Sequence, residues 1–266
     1  MMALALILIS FGLFSGIMAG LLGIGGGIVF LPLAKLYFLD YLGYDVSFVK
    51  ILIATSSAII IVNSSSSLYR HLKFKNIQFK LWPYLFFPTL IGTQIGGYFT
   101  KIATPSSLKY ILSVLLLLSA IKMLFFKQKE AKIGEMSKRN KILLLIAVFV
   151  ISIFASMLGI GGGAFMVPVL FMLSGLSFKK VAGTAPMFKF FVSVSSTILY
   201  LMSTTSITPI SGHIQIGYVD VTIWFYTAIG GMIGAQLGAI LLNKIPTKVA
   251  KNIFVILLFI SAYKML

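Results

Sequence analysis

The chain has 266 residues, 59% of them hydrophobic and 10% charged, against roughly 25% charged residues in soluble domains. That balance excludes a soluble domain, and several apolar runs exceed the roughly 20 residues a helix needs to cross a bilayer. The net charge of +17 comes from Lys and Arg in short loops between apolar runs, which points to lipid head groups and membrane orientation and away from nucleic acid.

The first apolar segment runs from 3 to 39 and is interrupted by Gly23-Ile24-Gly25-Gly26-Gly27, with Pro32 five residues on. Its start, Met1–Leu22, has no basic flank and runs straight into the glycines, so it reads as mature structure and not as a signal peptide. Apolar segments follow at 48–69, 81–100 and 106–126, then a charged linker at 127–140. The segment 141–175 is interrupted by a second copy of the string, Gly159-Ile160-Gly161-Gly162-Gly163, again followed five residues later by proline, Pro168. Segments 178–202, 221–243 and 248–266 complete the chain. The strings lie 136 residues apart, and three further matches share an offset of 142: Trp82 with Trp224, Gly92-Thr93-Gln94-Ile95-Gly96 with Gly234-Ala235-Gln236-Leu237-Gly238, and the hexamer 119–124 with 261–266. Chance likeness among Leu/Ile-rich helices does not produce these at one offset. The chain therefore reads as two homologous halves, 1–126 and 141–266, joined by a charged cytoplasmic linker at 127–140.

Three successive glycines break a helix, and in lipid the freed backbone groups must be shielded by protein or line a polar cavity. If each glycine-broken segment crosses once, Lys and Arg divide almost evenly between the two sides. If each bends back as a hairpin, sixteen fall inside and five outside, with Lys189 within a span. The positive-inside rule favours the hairpins. The expected fold is an all-α polytopic membrane protein in the cell membrane, each half a glycine-broken hairpin plus three spans, the halves inverted, the basic loops cytoplasmic.

None of the five acidic residues, Asp40, Asp45, Glu130, Glu135 and Asp220, falls mid-span. This argues against a cation substrate and a carboxylate proton relay. The interior offers backbone donors at Gly25, Gly26, Gly27, Gly161, Gly162 and Gly163, neutral side chains at Thr55, Ser56, Asn63, Gln94, Thr184, Ser193 and Gln236, and one cation, Lys189. The helices starting near Ile28 and Ala164 present open N–H groups and positive dipole ends, which suit a small anion. Gly96, Gly97, Gly230, Gly231, Gly234 and Gly238 read as helix-packing positions. His71 and His213 read as loop residues, His71 solvated within a basic run. No catalytic or metal-ligand spacing is visible, cysteine is absent, and an enzyme or a cofactor is not expected. A proton or sodium is the expected coupling ion.

These features together, with the Thr-Ser run at 55–57, the loop from Arg70-His71 to Asn76-Ile77-Gln78, and the Gly-x-Gln-x-Gly before a Pro-containing loop and a last span, resemble the TauE/SafE family of sulfite exporters and related anion permeases, within the 4-toluene sulfonate uptake permease superfamily. Relatives often carry Lys where this chain has Pro186, with Lys189 a turn later. The resemblance implies a secondary carrier for small sulfur-containing oxyanions such as sulfite or organosulfonates, usually outward. An anion channel, or a permease for other small organic anions, is the alternative.

Overall fold

The computed structural model describes residues 2–102, 114, 117, 118, 120, 121, 123–125, 136–205, 207 and 209–265. The first nine residues of the expected linker, the hexamer at 119–124 in part, most of the segment 106–126, and Glu130 and Glu135 lie outside the described residues.

The protein is predominantly helical. Helix α1 (Met2–Leu22) ends at the first glycine string. Helix α2 (Gly27–Lys35) continues as a π-helical turn, Leu36–Tyr41. After a 3₁₀ turn, Val46–Phe48, come α3 (Val49–Lys73) and α4 (Trp82–Ile102). The second half of the chain contains α5 (Lys138–Leu158), α6 (Gly163–Ser174), α7 (Phe178–Leu201), a two-residue ribbon of β1 (Gln215–Ile216) and β2 (Val219–Asp220), then α8 (Val221–Lys244) and α9 (Thr247–Met265). Among the described residues, five helical stretches are long and apolar enough to cross a membrane: α1, Val46–Lys73, α5, α7 and α8.

Glycine decides how the helices approach. With no apolar drive between helices in lipid, small residues let backbones come close. A Cβ on Gly12, Gly16 or Gly20 of α1 would stand 2.0–2.4 Å from a backbone oxygen of Thr227, Gly231 or Ala235 on α8. In return, a Cβ on Gly230, Gly234 or Gly238 of α8 would collide with the carbonyl oxygen of Ile9, Leu13 or Ile17. The α4–α5 pair is built alike, with Gly92 and Gly96 against the carbonyls of Phe149 and Ile153. Residue numbers rise together along both interfaces, so α1 runs parallel to α8, and α4 to α5. Gly97 instead meets the side chain of Leu199.

The remaining contacts order the layers. Tyr37, beyond α2, meets Phe11 of α1 edge-on at 6.1 Å, and Phe38 packs on Phe48 at 5.6 Å. Buried Leu8, Phe30, Phe38, Phe48, Ile51 and Ile223 form one apolar cluster at the end where α1, α3 and α8 begin. At the other end, Arg70 Nη2 donates to Gln236 Oε1 (2.9 Å), Asn76 Nδ2 to Asn243 Oδ1 (3.2 Å) and Lys179 Nζ to the Asn243 carbonyl (3.0 Å). The turn after α3, the start of α7 and the end of α8 therefore share one end of the molecule.

His71 is not a solvated loop residue. It lies in the last turn of α3, fully buried, with Nε2 3.0 Å from the carbonyl oxygen of Gly20. The helix runs past Arg70 to Lys73, and the Gly20 carbonyl of α1 gives the imidazole a partner inside the fold.

Candidate functional site

The two glycine strings meet in the middle of the fold. A Cβ on Gly27 would stand 2.8 Å from the carbonyl oxygen of Gly159, and one on Gly163 within 2.4 Å of that of Ile24. Gly23 and Gly25 take positive φ of 69° and 83°; Gly159, Gly161 and Gly162 take 61°, 68° and 66°. These left-handed angles are cheap only for glycine, which explains locally why both breaks are glycine strings. Gly159 is the left-handed C-cap of α5. Beyond the breaks, α2 and α6 begin at Gly27 and Gly163, one residue earlier than the sequence suggests, and their N-caps Gly26 and Gly162 receive no side-chain cap. In each first turn one N–H bonds back to the N-cap carbonyl, Val29 N to Gly26 and Phe165 N to Gly162, which leaves those of Gly27, Ile28, Gly163 and Ala164 without a side-chain cap among the described residues.

Several of the expected side chains gather here. A Cβ on Gly26 would lie 2.6 Å from Asn63 Nδ2 and 3.2 Å from Ser15 Oγ. One on Gly25 would lie 3.0 Å from Lys189 Cδ, and one on Gly161 3.7 Å from Ser193 Oγ. Ser56 Oγ donates to the Gly159 carbonyl at 2.8 Å. Asn63 and Lys189 are 0% exposed and Ser193 1%. Among the described residues, Lys189 Nζ, Ser193 Oγ and both amide atoms of Asn63 have no hydrogen-bond partner. Lys189 does not snorkel to an interface. A buried, unpaired ammonium is costly, and together with the two open helix starts it makes a compact set of donors with positive charge.

Four expected residues are engaged elsewhere. Thr55 Oγ1 accepts from Asp220 N (3.0 Å), and Thr184 Oγ1 from Gln78 N (3.0 Å). Gln94 Nε2 donates to Ser195 Oγ (3.0 Å), and Gln236 is held by Arg70. These bonds tie loops and helices around the cluster. Ser15 and Ser156, by contrast, carry no signal in the sequence, since an isolated hydroxyl in an apolar run looks like a packing residue. Two cavities, of about 140 and 420 Å³, lie at opposite ends: one is lined by Gln78, Lys80, Tyr84 and Lys141, the other by Tyr44, Asp45, Pro209 and Ser211.

The family model described as "Sulfite exporter TauE/SafE" matches residues 8–265. The chain belongs to this family. A probable membrane transporter protein of Methanocaldococcus jannaschii is 32% identical over 91% of this chain and 88% of its own length. A probable membrane transporter protein of Bacillus subtilis is 26% identical over 96% of this chain and 94% of its own. No solved structure matches the chain.

As a TauE/SafE membrane transporter, the protein handles its one described carboxylate near the cluster structurally. Asp220 is fully buried, caps α8 by accepting from Ile223 N at 2.9 Å, and pairs with His213 Nδ1 at 2.8 Å. Asparagine preserves the cap oxygen, whereas losing a cap costs about 1 kcal/mol. Asp220→Asn is therefore expected to retain most of the wild-type flux, and Asp220→Ala to melt earlier. Loss of proton-coupled flux in the Asn variant, with binding intact, reveals a carboxylate relay.

Proposed function

We propose that this TauE/SafE protein is a secondary carrier that exports small sulfur-containing oxyanions such as sulfite or organosulfonates across the cell membrane. The observation that carries this reading is the cluster of Lys189, Asn63 and Ser193, buried without partners against two uncapped helix starts. Two dipole ends and one ammonium match a small anion of low charge. The backbone of a glycine string admits such a ligand closely, and the hydroxyls and amide supply the directional bonds that tell an oxyanion from a halide.

The carrier reading also rests on duplicated, inverted halves, 1–126 and 141–266, joined by the cytoplasmic linker 127–140. Equivalent contacts recur at matched offsets. Gly92 meets Phe149 as Gly234 meets Leu13, and Thr55 accepts from Asp220 N as Thr184 accepts from Gln78 N. The α1–α2 and α5–α6 pairs are then hairpins entering from opposite faces, their glycine tips in contact, as alternating access requires. The basic loops at 70–80, 178–180 and 244–251 gather at the cytoplasmic end. Coupling uses the proton of singly protonated sulfite itself, or a sodium held by carbonyl and hydroxyl oxygens.

The test is counterflow in proteoliposomes with a panel of sulfite, thiosulfate, sulfonates, sulfate and carboxylates. Saturable uptake, accelerated by preloading with unlabelled sulfite or a sulfonate, is expected. Flux that never saturates identifies a channel, and exchange confined to carboxylates overturns the sulfur-anion assignment.

A further inference from the structure

Helix α3 carries a line of buried polar side chains leading away from the glycine cluster. Asn63, Ser67 and His71 are four residues apart and so share one helix face. All three are 0% exposed. Both amide atoms of Asn63, Ser67 Oγ and His71 Nδ1 lack hydrogen-bond partners among the described residues, as do Ser64 Oγ, Arg70 Nε and, on α8, Thr227 Oγ1. The line starts beside Gly26, where Asn63 sits, and ends in the last turn of α3. There His71 Nε2 meets the Gly20 carbonyl and Arg70 reaches Gln236. A seam that only packs two helices has no use for this many unspent donors and acceptors, because each buried polar group normally finds a partner.

The corresponding stretch of α7 is different. Ser196 and Tyr200 stand 129 residues on from Ser67 and His71, the same spacing that relates Thr184 to Thr55. Ser196 Oγ donates to Ser156 Oγ at 3.0 Å, and Tyr200 Oη donates to the Ser156 carbonyl at 2.7 Å. Ser156 itself lies 136 residues on from Gly20, the spacing of the glycine strings. Both seams share one bond, His71 Nε2 with the Gly20 carbonyl matching Tyr200 Oη with that of Ser156. They differ at the next turn in, where Ser196 is bonded to Ser156 but Ser67 has no partner among the described residues. Among those residues Ser64 and its counterpart Ser193 are unpartnered in both seams, and Thr197 is unpartnered on α7.

We propose that Asn63, Ser67 and His71 line the passage by which the anion reaches the glycine cluster from the basic end of the molecule, with Arg70 at its mouth, and that Ser156, Ser196 and Tyr200 form the seal on the opposite side. The identity of the passenger rests on the carrier reading above; the passage is testable without it. When the mouth opens, water fills a path whose polar groups are already in place, and the guanidinium selects anions over cations.

The chain has no cysteine, so Ser67→Cys and Ser64→Cys each supply a single thiol, and the second serves if the first does not fold. Membrane-impermeant thiosulfonate reagents, one sulfonate-bearing and one trimethylammonium-bearing, are applied to oriented vesicles from each face. The thiol at 67 is expected to react only from the face that carries loops 70–80 and 244–247. After normalisation to a free thiol, the anionic reagent should lead by at least about fivefold, the effect of one unit charge about 4 Å away in water. Arg70→Gln should erase that preference. A thiol at 196 should stay unreactive from the face that carries loops 70–80 and 244–247, because the seal opens only to the opposite one. Positions 64 and 67 unreactive from both faces, or reactive from the opposite face, overturn the passage. Labelling as expected in a protein that shows no counterflow of sulfur anions leaves the passage standing and removes the assigned passenger.

Discussion

Replacing Gly26 with alanine is expected to lower anion flux about tenfold to a hundredfold while leaving a folded protein in the membrane. Gly26 has φ of −64°, an ordinary right-handed value that alanine adopts without strain. The added methyl would meet Asn63 Nδ2 at 2.6 Å, the far end of a side chain that can turn aside. It therefore fills the space before the α2 N-terminus and displaces the Asn63 amide without disturbing a backbone. One hydrogen bond to a charged group is worth about 1.5–3 kcal/mol, which sets the expected range, since 1.4 kcal/mol is about tenfold. Gly162 is the instructive contrast. Its φ is 66°, and a Cβ there would stand 2.7 Å from Ala155 Cβ and 2.9 Å from Phe188 Cε1. Gly162→Ala should lose folded protein as well as flux. The measurement is flux per recovered folded protein, with melting temperatures for both variants. Wild-type flux in Gly26→Ala removes the first glycine string from the site.

Much of this arrangement was legible because glycine strings are rare inside apolar runs and because their physical meaning does not depend on partners. Three glycines end a helix wherever they fall, so both breaks and the open helix starts beyond them are visible from composition alone. The glycine faces of α4 and α8 are legible for the same reason, whereas Gly12, Gly16 and Gly20 of α1, single glycines spread through an apolar run, carry no such signal. What the one-dimensional pattern hides is pairing across the chain. Thr55 and Thr184 look like ligands because they are hydroxyls in spans, yet each is occupied by a backbone N–H more than a hundred residues away. His71 looks solvated because its neighbours are basic, yet α3 continues past it and the Gly20 carbonyl of another helix gives it an acceptor. The depth of Lys189 is of the same kind. A lysine within a span either reaches an interface or stays buried, and only the surrounding helices decide which.

Lys189→Met is expected to abolish measurable anion binding and to raise the melting temperature of the empty protein. The two effects have one cause. The ammonium is 0% exposed and has no hydrogen-bond partner among the described residues, so in the absence of ligand it destabilises the fold. A methionine of similar length fills the same slot without a charge, and replacing even paired buried charges with packed apolar groups is often neutral or stabilising by about 1–4 kcal/mol. With an anion present the sign reverses. A unit charge about 4 Å away at an effective dielectric of about 20 is worth about 4 kcal/mol. Allowing for desolvation of the ligand, affinity should fall by about a hundredfold or more, in line with the tenfold per 1.4 kcal/mol rule. Sulfite should therefore raise the melting temperature of the wild-type protein and leave that of Lys189→Met unchanged. Lys189→Arg separates charge from shape: it keeps the cation but has no room for the fork where Lys189 Cδ already lies 3.0 Å from the Cβ position of Gly25, so flux should fall there too, without the gain in stability. A Met variant that melts earlier than wild type would show Lys189 to be a partner in the fold, and one that still carries sulfite would show that the anion is held without it.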